Sequence, residues 1–250
     1  MADSQNDRIQ KFAQVNPCPG GTTEIVTGVC FIAQWGKIAV SGNPIPGTGK
    51  KEFSFPMGIA VDSNDNVYVA DTFNHRIQKF DKDGTFIRMW GWGVKDGSNA
   101  FQICTSADSS CQGGIAAADD GQFDHPYGIA VDSNDNVYVA DTFHHRIQRF
   151  TPLGIYSTQW GSYGTDPNDA KFYYPLGIAL DLDDNVYVAD SRNHRIQKFN
   201  SSLTHLATWG GLSSGTRPGQ FYYPYGIAVD SSNKVYVADS YNHRIQKFSP

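Results

Sequence analysis

Short apolar runs, interrupted every few positions by turn-forming residues, cover most of this chain. Between Gly58 and Trp90 the apolar positions alternate, as at Ile59 and Val61, and this two-residue period is typical of β-strands and not of helices. Segments rich in Asp, Asn and Gly separate the runs, and such residues stabilise turns. The pattern therefore predicts a meander of four short strands over residues 58–62, 67–71, 76–80 and 86–90.

The same stretch recurs almost unchanged along the chain. The sequence from Pro56 to Phe80 returns from Pro126, Pro175 and Pro224, and the first glycines of the four copies are 70, 49 and 49 residues apart. Apolar side chains fall on both faces of each predicted sheet, so both faces must be buried. Radial stacking meets this need because every sheet then packs between two neighbours. The repeat predicts an all-β fold, a β-propeller of four-stranded antiparallel blades.

Three motifs carry a resemblance to a known family. The segments Gly-Ile-Ala-Val-Asp (58–62), Asn-Val-Tyr-Val-Ala-Asp (66–71) and Asn-His-Arg-Ile-Gln-Lys-Phe (74–80) resemble the NHL repeat, and the related copies cover about four fifths of the chain. The resemblance implies a propeller that binds a protein or peptide through loops at the ends of the ring. NHL propellers typically have six blades, whereas this chain carries four full repeats.

We interpret residues 1–250 as a single propeller domain. Full repeats cover about residues 56–92, 126–161, 175–210 and 224–250, an N-terminal half repeat covers 6–36, and inserts cover 15–30 and 94–122. The last repeat stops after its third strand, so we expect the N-terminal outer strand at 31–35 to join the C-terminal blade and close the ring. A four-bladed ring, a fifth partial blade built from residues 8–42, and a larger ring shared by several chains all remain open.

Composition narrows the range of partners. The net charge is -5 and no apolar run approaches the roughly 18 residues of a spanning helix, so neither nucleic-acid nor membrane binding is expected. The opening residues lack the basic start and apolar stretch of a signal peptide. The four cysteines form two close pairs outside the repeats, Cys18 with Cys30 and Cys104 with Cys111. We expect two disulfides, with free thiols as the alternative, and disulfides suit an extracellular or other oxidising compartment.

The repeated histidines and aspartates favour a structural role. His75 recurs as His145, His194 and His243, and equivalent turns of a propeller are far apart, so we expect no shared metal ion. Asp71 and its counterparts precede the same turn, where a carboxylate can accept N–H bonds of the turn and pair with Arg76. The turn at 62–66 resembles half of a calcium loop, but Val67 stands where that loop requires glycine. We predict no metal and no other cofactor.

Positions that break the repeat are the better candidates for a ligand site. The residue before the first glycine of each copy varies, and we expect these residues near the mouth of the central channel: Met57, Tyr127, Leu176 and Tyr225. The two inserts could bind a partner or cap the ring. The aromatic pairs Tyr173-Tyr174 and Tyr222-Tyr223 recur between copies, which favours blade packing over a ligand platform.

Three functions are compatible with these residues. The first is a binding scaffold for an unknown protein or peptide. The second is a metal-dependent lyase or hydrolase, because amidating lyases and calcium-dependent lactonases use related propellers, but the nonrepeated His125, His144 and His205 are dispersed without metal-ligand spacing. The third is a structural or assembly ring. The choice between monomer and homo-oligomer stays open.

Overall fold

A computed structural model of the chain describes residues 1–14, 23–26, 29–36, 46–166 and 170–249. These residues form β-strands and short 3₁₀ turns, and none of the helices among them has the length and apolar character needed to cross a membrane. Most of the strands group into five small antiparallel sheets, which we call blades 1 to 5 in chain order.

Among the described residues, each blade contains three to five strands. Blade 1 contains β1 (Ala2–Asp3), β2 (Arg8–Gln14), β3 (Thr23–Val26) and β4 (Val29–Gly36), in the spatial order β1-β2-β4-β3. Blade 2 contains β5 (Pro56–Val61), β6 (Val67–Asp71), β7 (Arg76–Phe80), β8 (Phe86–Trp92) and β9 (Phe101–Thr105). Blade 3 contains β10 (Pro126–Val131), β11 (Val137–Asp141), β12 (Arg146–Phe150) and β13 (Tyr156–Trp160). A parallel pair, β14 (Ser162–Tyr163) and β15 (Lys171–Phe172), precedes blade 4, which contains β16 (Pro175–Leu180), β17 (Val186–Asp190), β18 (Arg195–Phe199) and β19 (His205–Gly210). Blade 5 contains β20 (Pro224–Val229), β21 (Val235–Asp239) and β22 (Arg244–Phe248).

The predicted propeller of small antiparallel blades is confirmed. In blade 2 the second and third strands pair Val67 with Phe80 and Asp71 with Arg76, and blades 3, 4 and 5 repeat this register. Successive side chains of a strand point to opposite faces. Tyr68 accordingly packs toward blade 3, whereas Val69 packs on the side of blade 1. Blades 2, 3 and 4 are therefore buried on both faces, as the apolar pattern requires.

The first strands of blades 2 to 5, which we call the inner strands, pack against one another. Strand β5 contacts β10, β10 contacts β16, and β16 contacts β20. A Cβ atom on Gly58, Gly128 or Gly177 would lie 2.1 to 2.3 Å from a backbone carbonyl oxygen of the next inner strand. Glycine is required at these three positions because no side chain fits between the neighbouring strands.

Blade 1 corrects the prediction that the N-terminal outer strand joins the C-terminal blade. The segment expected to complete the C-terminal blade lies in β4, and β4 pairs with β2, with Ile9 opposite Trp35. Strands β2 and β22 both begin with Arg-Ile-Gln-Lys-Phe, so β4 finds an equivalent partner earlier in the chain and closes a shorter loop. Within the described residues blade 5 is therefore three-stranded, and the fifth-blade alternative describes the structure. Residues 37–40, also proposed for that blade, lie outside the described residues.

Candidate binding site at one end of the propeller

A buried aspartate holds the turn after the second strand of each full repeat. In blade 4 the carboxylate of Asp190 accepts hydrogen bonds from Arg195 Nε at 2.6 Å and from the backbone N–H of Tyr173 at 2.7 Å. Burial raises the pKa of Asp190, and the positive charge of Arg195 opposes this rise. The predicted pairing of aspartate with arginine is confirmed in every full repeat. The backbone donor, however, lies in the loop before the inner strand and not in the turn.

The repeated histidine joins one blade to the next. His145 ends the 3₁₀ turn Thr142–His144 with a left-handed φ of 55°, and its Nδ1 accepts the backbone N–H of Tyr174 at 3.1 Å. Equivalent bonds link His75 to His125 and His194 to Tyr223, each at 3.2 Å. Burial lowers the pKa of His145 from 6.5, so the ring is neutral near pH 7 and can accept this bond. These contacts support a structural role for the repeated histidines.

A cavity of about 420 Å³ opens at the end of the blades where strands β10, β16 and β20 begin. Its walls come from blades 3, 4 and 5, and we call it the aromatic basin. The lining residues are Tyr127, Thr142, Phe143, Tyr174, Leu176, Ser191, Arg192, Tyr222, Tyr223, Tyr225 and Tyr241. Tyrosine rings combine a large apolar surface with a hydroxyl group, so the basin offers both packing and hydrogen bonding to a ligand.

The aromatic rings of the basin pack against one another and against an arginine. The ring centroids of Tyr223 and Tyr241 are 4.8 Å apart. The guanidinium of Arg192 lies 4.7 Å from the ring centroid of Tyr174 and donates a hydrogen bond to the hydroxyl of Tyr173. That hydrogen bond raises the pKa of Arg192. Arg192 is the charged residue among the described lining residues, so the basin carries a fixed positive charge at its rim.

The structure brings three of the four sequence-predicted binding residues together. Tyr127, Leu176 and Tyr225 occupy the second position of β10, β16 and β20, and all three line the aromatic basin. Met57 occupies the same position of β5 and is 39% exposed, but it is not among the lining residues. The positions that vary between repeats thus converge on one cavity, with Met57 outside it.

Other basin residues differ from the sequence-based expectation. The recurrence of Tyr174, Tyr222 and Tyr223 favours packing roles, yet they line the basin, and the buried aromatic of each loop is instead the preceding phenylalanine, as at Phe172 and Phe221. Five further lining residues have no counterpart among the predicted ones: Thr142 and Ser191, which begin 3₁₀ turns, and a last group of Phe143, Arg192 and Tyr241. The sequence does carry a signal for this last group, because each occupies the middle of a 3₁₀ turn, a position that also varies between repeats.

One blade interface gathers groups that can bind a metal. His75, Asp124 and His125 each offer a ligand atom, and these three atoms lie within 4.8 Å of one another at the interface of blades 2 and 3. His125 thus has a repeated histidine and a carboxylate as neighbours, which the dispersal of the nonrepeated His125, His144 and His205 along the sequence did not indicate. Sequence spacing could not reveal the cluster because His75 and His125 meet only when their blades stack.

The predicted disulfide in the longer insert is confirmed. Cys104 and Cys111 are bonded, with Cα atoms 5.8 Å apart. The insert adds β9 to the outer edge of blade 2, and its Gly114 N–H donates to Asn74 O at 2.7 Å, beside the turn that carries His75. Cys18 and the side chain of Cys30 lie outside the described residues.

The turns compared with calcium loops hold their carboxylates in internal bonds. The carboxylate of Asp62 accepts bonds from the backbone and side chain of Asn66, from the hydroxyl of Tyr68 and from Lys79 Nζ at 3.1 Å. Burial favours a higher pKa of Asp62, but these donors outweigh burial and lower it below its usual value. Lys79 supplies the positive charge at this position.

The fold and the site together define a class of protein: a repeat propeller with an aromatic end-face cavity. Four segments match the NHL repeat family, at residues 53–80, 123–150, 172–199 and 221–248. The chain belongs to the NHL-repeat β-propellers. This confirms the resemblance inferred from the three motifs.

Similar proteins fall into more than one functional group. The chain is 31% identical over 127 residues to peptidylglycine alpha-amidating monooxygenase of Rattus norvegicus, covering 48% of this chain and 11% of that protein. It is 30% identical over 118 residues to Protein brain tumor of Drosophila melanogaster, covering 46% and 9%. The aligned regions thus span about a tenth of these relatives. An auxiliary nutrient binding protein from Bacteroides ovatus shares the fold, with a TM-score of 0.50, 17% identity, and coverage of 92% of this chain and 55% of that one.

Proposed function

We propose that this protein is a binding scaffold that captures an extended segment of a protein or peptide in the aromatic basin. The observation that carries the proposal is the convergence of Tyr127, Leu176 and Tyr225, the variable residues of three blades, on one cavity. Scaffold positions are repeated in every blade, whereas these positions are not. A rigid stack of blades with variable end-face residues is suited to specific binding.

The chemistry of the basin indicates the kind of segment that it would take. Tyrosine supplies large, rigid, amphipathic contact area at a small entropic cost, which is why binding surfaces rich in tyrosine are common. Arg192 presents a guanidinium group at the rim, and guanidinium pairs favourably with carboxylates. We therefore propose an apolar or aromatic peptide segment that carries an acidic residue beside it.

The test is a selection of peptides from a displayed library against the immobilised protein. Affinities of the selected peptides are then measured by fluorescence polarisation for the wild type and for Tyr225→Ala and Arg192→Ala. Tyr225 is 43% exposed, so its truncation should leave the fold intact. Loss of a central aromatic contact typically weakens binding by roughly 30-fold, and we expect Arg192→Ala to weaken acidic peptides selectively.

Leu182→Ser is the matched control. Leu182 is 71% exposed and lines a separate cavity where strands β10, β16 and β20 end, so this change removes an apolar group from the opposite face. Peptides that bind the control as tightly as the wild type and the basin variants more weakly would support the proposal. Peptides that bind all four proteins equally would refute it.

A further inference from the structure

We propose that His75, Asp124 and His125 form a binding site for a divalent transition-metal ion of the Zn²⁺ type at the interface of blades 2 and 3. Two imidazole nitrogens and one carboxylate oxygen are a recurrent ligand set for such ions, and they leave coordination positions open for water or a ligand. The three ligand atoms already lie within 4.8 Å of one another.

The distances within the cluster are close to those of a metal site, and one hydrogen bond must break for an ion to bind. His125 Nδ1 lies 2.6 Å from Asp124 Oδ1, and His75 Nδ1 lies 3.6 Å from the same oxygen. In a tetrahedral zinc site the metal-to-ligand distance is about 2.0–2.1 Å, so ligand atoms lie roughly 3.3 Å apart. The ion would replace the proton shared by Asp124 and His125, and the 3.2 Å bond that His75 accepts from the His125 amide would be given up.

Comparison of the blade interfaces shows that this arrangement is specific to one of them. Where blade 3 has Asp124 and His125, blade 2 has Ser54 and Phe55 and blades 4 and 5 have tyrosine pairs. The histidine of the facing turn is common to several blades, but only here do a carboxylate and a second imidazole meet it among the described residues. The cluster is therefore an addition to the repeat and not a consequence of it.

An ion bound by the cluster would keep a coordination position that solvent or a ligand can reach. The side chains of His75, Asp124 and His125 are 18%, 28% and 28% exposed, so the site is partly shielded and can still be reached from solvent. The ring of His125 lies 4.5 Å from that of Phe143, which also lines the aromatic basin. A molecule bound at the open coordination position of the ion could thus extend toward the aromatic basin.

Isothermal titration of the intact protein with ZnCl₂ tests the proposal, with Co²⁺ absorption as a second readout of coordination. The variants are His125→Phe and Asp124→Ser, which install the residues that blade 2 carries at these positions, so each is compatible with the fold. The control is His243→Phe, because His243 occupies the same turn in blade 5 and is exposed. Circular dichroism verifies the fold of each variant.

We expect the wild type and His243→Phe to bind one more Zn²⁺ per chain than the two cluster variants, or the cluster variants to bind at least roughly tenfold more weakly. The Co²⁺ complex of the wild type should show absorption bands that both cluster variants lose. Zn²⁺ binding that is unchanged in His125→Phe and Asp124→Ser would overturn the proposal, and so would a wild type that binds no ion. Because peptide binding does not enter this test, its result is independent of the proposed function.

Discussion

Replacement of Asp141 by Asn should destabilise the protein strongly, and the size of the effect follows from the burial of its partner. The carboxylate of Asp141 is fully buried and accepts bonds from Arg146 Nε at 2.7 Å, Gln148 Nε2 at 3.0 Å and the backbone N–H of Asp124 at 2.8 Å. The side-chain NH₂ of Asn would face these N–H groups instead of accepting their hydrogen bonds. The positive charge of Arg146 would also lose its carboxylate partner.

The solvent exposure of the arginine determines how much the substitution lowers the free energy of unfolding. The side chain of Arg146 is 7% exposed, and loss of one member of a buried pair costs about 3–5 kcal/mol. For a chain of this size each kcal/mol corresponds to about 2–4 °C, so the melting temperature should fall by roughly 6–20 °C. Asp239 in blade 5 makes the same bonds, but the side chain of Arg244 is 29% exposed and can be hydrated. We expect Asp239→Asn to cost only about 1–2 kcal/mol.

Thermal unfolding followed by circular dichroism compares Asp141→Asn, Asp239→Asn and the wild type. We expect a clear order, with Asp141→Asn melting well below Asp239→Asn. Equal melting temperatures for the two variants, or an Asp141→Asn protein as stable as the wild type, would refute the link between burial of the arginine and the cost of the substitution.

Three further predictions follow from local features. Burial lowers the pKa values of His75, His145 and His194 below 6.5, so the unfolded chain binds more protons than the folded one as the pH falls. The stability that the neutral histidines contribute is fully present above pH 6.5 and should be lost as the pH falls toward the folded pKa values. Urea unfolding at about pH 7.5 and about pH 5.5 measures this loss, and His194→Asn should make it smaller. Loss of the Cys104–Cys111 disulfide in a double alanine variant should lower the free energy of unfolding by about 2 kcal/mol, measured by chemical denaturation, and an unchanged value would contradict a stabilising role. A Cβ at Gly128 would lie 2.2 Å from Leu176 O, whereas at Gly226 its nearest neighbour is Ala238 Cβ at 3.6 Å. Gly128→Ala should therefore cost about 1–3 kcal/mol and Gly226→Ala should be close to neutral, and comparable melting temperatures would count against crowding at the axis.

Most of the fold could be predicted because the repeat specifies it locally. The four strands expected in the first full repeat correspond to β5 to β8, and their order follows from short turns between sequential strands. The partner of β4 could not be predicted in the same way. Strands β2 and β22 begin with the same five residues, so sequence pattern alone cannot say which of them β4 joins.

The candidate sites could be predicted less completely from the sequence because they form between blades. Tyr127, Leu176 and Tyr225 could be nominated because the residue between the repeated proline and glycine is not the same in every copy. Their meeting with Tyr223 and Arg192 depends on the rotation between adjacent sheets, which no local pattern encodes. The contact between His75 and His125 has the same origin, since the two residues belong to different blades.

Tyrosine ring NMR signals, recorded before and after addition of a selected peptide, test the central claim most directly. If the aromatic basin is the binding site, the ring signals of Tyr223, Tyr225 and Tyr241 should shift at saturation. Tyr156, on the outer strand β13 and outside the basin, should keep its signal unchanged. Shifts confined to Tyr156, or unperturbed basin signals in the saturated complex, would contradict the assignment of this cavity as the binding site.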